Sequence, residues 1–190
     1  FDKRTDTRQI PDDTYNIPLV NAKNGDNGIM FYGHKDKFDS IEMSIDIVQN
    51  GAIATGNVYP QPQRTGILWD AYLIKSIEYS DTRESLIYVS AAIEKCIKKK
   101  FSYECKATWN RVRHESIWLP ITSTGSIDYK FMETYIRAIE KLTIQRVLDW
   151  RAKEIATTKT VVNEGKNVTP LQPRSNSKQY EFFENDTPMM

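Results

Sequence analysis

The first 80 residues carry the hydrophobic pattern of short β-strands separated by turns. Apolar runs occupy 17–20 and 29–33, and apolar and polar residues alternate over 41–47. Alternation with a period of two predicts a strand that is buried on one face only. The dipeptide Asn-Gly stands between such runs at 24–25, 27–28 and 50–51. Because both residues tolerate positive φ, these pairs predict tight turns.

Two further stretches, 67–77 and 115–122, are also strand-like, and each contains a tryptophan. Aromatic side chains in an apolar context favour the interior of a domain. We therefore expect Trp69 and Trp118 to lie in the core.

The period changes to that of a helix after residue 80. Asp81 followed by Glu84 resembles a capping box. Apolar residues then recur at helical spacing and predict one buried face. They are Leu86, Val89, Ile93 and Ile97. The helix is expected to end in three consecutive lysines at 98–100, where cations suit the negative end of the helix dipole.

A second and much longer helix is predicted over 126–162, with Asp128 as its N-cap. Some 30 residues at about 1.5 Å each span roughly 45 Å, which exceeds the width of a small domain. We expect part of the helix to project and to need a partner helix; a helix lying across its own domain is the alternative. Its apolar stripe comprises Met132, Tyr135, Ile136, Ile139, Leu142, Leu148 and Ile155.

These patterns together predict an α+β fold. A twisted, mostly antiparallel, strand-rich globular domain is followed by one long projecting α-helix. The boundaries that we expect are a mobile lead-in over 1–14, the globular domain over 15–125, the helix over 126–162 and a polar tail over 163–190.

Composition allows a folded core, with 39% hydrophobic and 27% charged residues. No apolar run approaches the roughly 18 residues of a membrane span, and no secretory signal opens the chain. We therefore expect a cytoplasmic protein without membrane contact. Because the first residue is Phe1, we also expect a fragment or a processed chain.

Positive charge is concentrated in residues 95–114, the basic segment. It holds seven Lys or Arg and one Glu, whereas the whole chain has a formal net charge of +1. Phe101, Tyr103 and Trp109 are interleaved with these charges. Local cationic surface with flat side chains is typical of nucleic-acid binding. A solvated, Lys-rich helix end is the alternative interpretation.

The chain carries none of the phosphate-binding, metalloprotease or nucleophile-elbow motifs of common enzymes. The cysteines Cys96 and Cys105 and the histidines His34 and His114 do not form a metal-binding pattern. The sequence therefore predicts a non-catalytic protein that holds no metal or cofactor of its own.

The order of these pieces resembles a known family. Residues 117–120 are Ile-Trp-Leu-Pro, and residues 127–133 are Ile-Asp-Tyr-Lys-Phe-Met-Glu. With the strand-rich segment and short helix before them, they resemble the target recognition domain of a restriction–modification DNA specificity subunit. Within this family, the chain resembles the single-domain type with a spacer helix, and the resemblance covers residues 15–160.

This resemblance implies a non-catalytic part of a bacterial defence system of the type I restriction kind. The globular domain would recognise one segment of double-stranded DNA. The helix would pair with another spacer helix as a coiled coil and so join a second recognition domain. Methyltransferase and restriction subunits or domains would be partners. S-adenosylmethionine, magnesium and ATP would belong to those partners.

Residue chemistry is compatible with this role, since amides can bond adenine edges and arginine can bond guanine. Candidates for contact with bases are Lys23, Asn24, Asn27, Gln61, Gln63 and Arg64. Candidates for contact with phosphates are Lys99, Lys100, Lys106, Arg111, Arg113 and His114. Candidates for helix pairing are Met132, Tyr135, Ile139, Leu142 and Leu148. Trp109 is open to two interpretations, a contact with DNA or a place in the core.

Two other classes of function stay open. The chain can be a protein-interaction scaffold that acts through its long amphipathic helix and binds no specific DNA sequence. An enzyme of unrecognised type is the third possibility.

Overall fold

The computed structural model describes residues 3–77 and 82–166. The chain divides into two compact units, one up to Leu142 and one from Thr143 onward. The helices described are α1 (Lys3–Asp6), α2 (Arg83–Ile97), α3 (Trp109–Val112) and α4 (Tyr129–Lys166). The strands described are β1 (Thr7–Arg8), β2 (Tyr15–Val20), β3 (Ile29–His34), β4 (Ser44–Val48), β5 (Val58–Gln61), β6 (Gly66–Ile67) and β7 (Ala71–Ile74).

The strands form two sheets. The first has the order β1-β3-β2-β6, in which the pair β2–β6 is parallel and the others are antiparallel. The second has the order β5-β4-β7 and is antiparallel. The predicted α+β fold with mostly antiparallel strands is therefore confirmed.

The predicted lead-in over 1–14 includes part of the first sheet. Thr7 is paired with Gly33 and is buried. Strand β1 consists of two polar residues, so it shows no hydrophobic period. Backbone pairing with β3 attaches it to the sheet. The sequence pattern therefore did not indicate β1.

The core of the first unit lies between helix α2 and the second sheet. Leu86, Ile93 and Ile97 are buried and pack with Ile45 and Ile47 of β4. Val89 is partly buried against the same cluster. The apolar face predicted for this helix is therefore confirmed.

Strand β4 differs from its predicted half-buried state, because all five of its residues are buried. Side chains alternate across a strand, so Ser44 and Asp46 point away from the face that meets α2. That second face is covered as well, which places two polar side chains in the interior. Apolar and polar residues do alternate along β4, but the rest of the domain covers both faces of the strand.

Helix α2 begins one position later than predicted. Its N-cap is Thr82, whose hydroxyl accepts a hydrogen bond from the Ser85 N–H, while Ser85 Oγ accepts one from the Thr82 N–H. This reciprocal pair forms the capping box, so Glu84 is not its second member. Asp81 lies outside the described residues.

The start of helix α4 packs within the first unit. Asp128 caps it by accepting a hydrogen bond from the Phe131 N–H at 2.8 Å, as predicted. Arg137 contacts Glu84 of α2 at 3.1 Å. Met132 is fully buried within its own chain. Met132 was therefore a wrong candidate for helix pairing, because a buried side chain cannot meet a partner.

The other predicted pairing residues are exposed. Within the second unit, apolar side chains recur at spacings of four, seven and seven residues. They are Ile144, Leu148, Ile155 and Val162, and all four are about half exposed or more. The tail predicted over 163–190 starts inside this helix, and residues 167–190 lie outside the described residues.

Trp69 and Trp118 do not lie in the core. Trp69 is 62% exposed and Trp118 is 95% exposed. Leu68 and Ala71 beside Trp69 are buried instead. The apolar context of the sequence therefore predicted the location of the two indole rings wrongly.

Candidate nucleic-acid interface

A tight turn after strand β2 carries several of the predicted base contacts. Residues 25–28 all have positive φ, between +47° and +91°. Asp26–Gly28 form a single 3₁₀ turn. The Asn-Gly pairs at 24–25 and 27–28 thus produce the predicted turn. The left-handed conformation is strained for the non-glycine residues Asp26 and Asn27.

Hydrogen bonds attach this turn to strand β5. The Gly25 N–H donates to the Tyr59 hydroxyl at 2.9 Å. The Asn27 side-chain amide donates to the Pro60 carbonyl at 2.8 Å. The Gln61 side-chain amide donates back to the Asn27 carbonyl at 2.7 Å. The second sheet therefore offsets the strain of the turn.

Beside these contacts, side-chain hydrogen bonds form two clusters, one around Asn57 and one around Gln61. Asn57 Nδ2 donates to Asn24 Oδ1 at 3.0 Å and to the Tyr59 hydroxyl at 2.9 Å. Gln63 Nε2 donates to Gln61 Oε1 at 3.0 Å. We define the amide network as Asn24, Asn27, Asn57, Tyr59, Gln61 and Gln63.

The structure separates the six predicted base contacts by exposure. Asn24, Gln63 and Arg64 are exposed, whereas Lys23 and Asn27 are partly buried. Lys23 forms an ion pair with Asp26 at 2.7 Å. Arg64 lies beyond the end of β5, where it donates to Ser40 Oγ at 3.2 Å and to the Ser40 carbonyl at 3.1 Å.

Gln61 was a wrong candidate for base contact. Its side chain is fully buried. Its amide nitrogen donates to Asn27, and its oxygen accepts from Gln63 Nε2 and, at 3.4 Å, from Thr65 Oγ1. With both polar atoms occupied in the interior, Gln61 positions other residues and cannot touch a base.

Lys98 joins the amide network to the basic segment, a role that the sequence did not indicate. Its ammonium donates to the carbonyls of Ile53 at 2.9 Å and Thr55 at 3.1 Å, and to Asn57 Oδ1. Lys98 is the C-cap of α2. The three-lysine run was the available signal, but the helix dipole explains its charge equally well.

The basic segment is largely exposed around two buried anchors. Ala107 is fully buried and Val112 is 7% exposed. The exposed cations beside them include Lys106 and Arg113. These anchors fix a surface segment in place while its charged side chains face solvent.

The six predicted phosphate contacts are all exposed, but they differ in their partners. Lys100 pairs with Glu115, and this hydrogen bond raises the pKa of the lysine. Arg111 donates to the Lys106 carbonyl at 3.1 Å. Arg113 Nε donates to His114 Nε2 at 3.3 Å. Among the described residues, Lys99 and Lys106 form no ion pair.

An ionisable residue lies beneath the turn. Both carboxyl oxygens of Asp46 are buried, and neither has a hydrogen-bond partner among the described residues. Gly28 covers this carboxyl so closely that a Cβ there would lie 2.5 Å from Asp46 Oδ2. Burial raises the pKa of Asp46 to about 8. Burial and the Asp46 carboxyl together also raise the pKa of Tyr72.

Within the described ranges, no helix has an apolar stretch long enough for a membrane span. In the same ranges, no three His, Cys, Asp or Glu side chains group closely enough to hold a metal ion.

A segment with clustered, exposed cations is typical of domains that contact nucleic acid. The chain belongs to the family described as the type I restriction modification DNA specificity domain, whose model matches residues 2–149. This match confirms the resemblance inferred from the sequence. It also supports the prediction of a non-catalytic chain, because the family is one of specificity domains.

A curated relative is the specificity subunit S.BcgI of a type II restriction enzyme from Heyndrickxia coagulans. It is 25% identical over 138 residues, which is 72% of this chain and 39% of the relative. The chain thus spans about two fifths of that protein. Comparison with solved structures gave no match.

We expect Gly28→Ala to destabilise the fold more than Gly25→Ala does. Both glycines have left-handed backbone, at φ +75° and +91°, so both changes cost about 1 kcal/mol of strain. At Gly28 the new methyl would also meet Asp46 and the Tyr59 ring, whereas nothing lies within 4 Å at Gly25. The contact adds about 1–3 kcal/mol. Urea unfolding of both variants measures the difference, and equal losses would contradict this packing.

We expect Asp46→Asn to flatten the dependence of stability on pH. The folded state keeps the Asp46 proton up to a pKa of about 8, while the unfolded chain loses it near 3.8. The folded state therefore binds more protons between these values, and its stability falls as pH rises through them. The fall contributed by Asp46 is at most about 1.4 kcal/mol per pH unit.

Urea unfolding at a series of pH values tests this prediction. The free energy of unfolding of the wild type, minus that of the variant, should decrease from pH 5 to pH 8. Parallel curves would show that Asp46 is ionised or compensated in the folded state.

Proposed function

We propose that this chain recognises a specific sequence of double-stranded DNA for a restriction–modification system. The observation that carries the proposal is the continuity between the amide network and the basic segment through Lys98. One part of this surface offers hydrogen-bonding groups suited to base edges. The neighbouring part offers cations suited to phosphates. Family membership supports the same conclusion.

Within this surface, exposed side chains divide into two roles. Asn24, Gln63 and Arg64 contact base edges in a groove, with the amides suited to adenine and the guanidinium to guanine. Lys99 and Lys106 contact phosphates, which orient the domain without reading sequence. Lys100 and Arg111 have protein partners, as Arg64 has in Ser40, and all three would have to exchange them on binding.

The chain acts with partners in this proposal. Methyltransferase and restriction subunits or domains carry out the chemistry, with their own S-adenosylmethionine, magnesium and ATP. This separation of DNA recognition from catalysis agrees with the name of the curated relative, which is the specificity subunit of a restriction enzyme. The system is a cytoplasmic bacterial defence.

Helix α4 supplies the contact with a second recognition domain. In a heptad repeat, the seam positions follow one another at alternating spacings of four and three residues. Four of the seam positions in this helix are apolar, namely Ile144, Leu148, Ile155 and Val162. The two remaining positions between them are Arg151 and Thr158. An exposed apolar seam of this kind is stabilised by a second helix.

Selection from a randomised duplex pool at two salt concentrations tests the proposed function. Recovery of one short motif, with affinity that falls steeply as salt rises, supports sequence recognition with phosphate contacts. Recovery without a motif would contradict specific recognition by the isolated chain. No recovery at low salt would contradict DNA binding.

On the selected duplex, Arg64→Ala and Lys106→Ala should have different effects. Loss of a base contact relaxes preference at one position and costs about 1–3 kcal/mol. Loss of a phosphate contact weakens all duplexes alike and makes the salt slope shallower by about one unit. Lys130→Ala is the matched control, because this exposed lysine lies on α4 outside the surface. If all three variants bound the duplex with equal affinity, the roles assigned to Arg64 and Lys106 would be contradicted.

Leu148→Asp should weaken self-association of the chain, because it places a charge in the apolar seam. Thr157→Asp is the control, since Thr157 is exposed on the same helix outside the seam. Sedimentation equilibrium measures the mass of both variants. If Leu148→Asp abolishes association while the wild type selects no DNA, the scaffold alternative is favoured. A monomeric wild type would contradict helix pairing between copies.

A further inference from the structure

Two exposed tryptophans belong to segments attached near the end of strand β4, and one of them, Trp109, lies within the basic segment. Trp69 is 62% exposed and Trp109 is 49% exposed. Large aromatic rings are normally among the more buried side chains.

The backbone around Trp69 is held by many hydrogen bonds. Gln49 Nε2 donates to the Trp69 carbonyl at 3.1 Å. At the next residue, the Asp70 N–H donates to Asn21 Oδ1 at 2.8 Å, and the Asp70 carbonyl accepts from the Gln49 N–H at 3.0 Å. With Leu68 and Ala71 buried on either side, the indole ring is presented from a fixed main chain.

Trp109 is attached to the same strand end. The Gln49 carbonyl accepts from the Ala107 N–H at 3.0 Å. The Tyr72 hydroxyl donates to the Ala107 carbonyl at 3.1 Å, and the Tyr72 ring lies edge-on to Trp109 with centroids 6.1 Å apart. Gln49 therefore links the segments that carry the two tryptophans.

Two exposed cations lie close to Trp109 in sequence. Lys106 precedes the buried Ala107, and Arg111 follows Trp109 by two residues on α3. An apolar protein partner seated on the rings would have to desolvate these charges. Phosphates instead neutralise them, so the combination of rings and cations selects a nucleic acid.

We propose that Trp69 and Trp109 form an aromatic platform that receives a base unstacked from the DNA. The proposal rests on the proposed function. In a closed duplex the flat faces of the bases are covered by their neighbours, so a ring can contact a face only where a step is opened. The platform supplies apolar contact area for the exposed face, while Lys106 and Arg111 hold the adjoining phosphates.

The test uses the selected duplex with Trp69→Ala and Trp109→Ala. Base–aromatic contacts removed by such changes lower affinity by about five- to a hundredfold. The salt slope should not change, because no charge is removed. Trp118→Ala is the matched control, since Trp118 is 95% exposed and is not attached to the end of β4. Unfolding curves check that each variant is folded, and Trp69→Phe should keep most of the affinity.

Permanganate, which oxidises unstacked thymines, reports on the opened step. Reactive thymines in the wild-type complex that become protected with Trp69→Ala support the platform. Wild-type affinity in both alanine variants, or losses equal to that of Trp118→Ala, would overturn it and leave the proposed function intact. A wild-type complex in which a thymine at the contacted step stays unreactive would overturn base opening. A wild type that binds no duplex would overturn the proposed function and the platform together.

Discussion

The hydrogen bonds between the 25–28 turn and strand β5 are the constraint on which the candidate interface depends. Left-handed backbone at the two consecutive non-glycine residues Asp26 and Asn27 is unfavourable unless the surroundings hold it. The second sheet stabilises this conformation through hydrogen bonds of Tyr59, Pro60 and Gln61 with the turn. Because Gln61 is fully buried, it links the interior to the exposed amides. The turn therefore presents its polar groups from a rigid base.

This constraint also explains the polar interior of β4. One face of the strand meets the apolar core, and the other supports the turn, with Gly28 in contact range of Asp46. A protonated carboxyl is tolerated there at lower cost than a charged one. On the far side of the network, Lys98 ties the end of α2 to Asn57. These contacts thus position both the amides and the cations.

Local patterns predicted much of the fold, and tertiary packing decided the rest. The Asn-Gly turn over 24–28, the apolar face of α2 and the Asp128 cap follow from neighbours in sequence, and all three were confirmed. The burial of Gln61 and Met132 depends on segments distant in sequence, as does the exposure of Trp69 and Trp118. The bonds of Lys98 to the 53–57 loop are also long-range, so its charge alone could not reveal its role.

NMR mapping of backbone and side-chain amide signals, as a selected duplex is added, most directly tests whether turn, strand and basic segment form one DNA-binding surface. If they do, shifts concentrate in 23–28, 57–64 and 98–114, with the Asn24 and Gln63 side-chain amides among the most affected. The signals of 143–166 should change little. Shifts confined to that helical stretch, or absent from the amide network, would show that these segments do not form one DNA-binding surface.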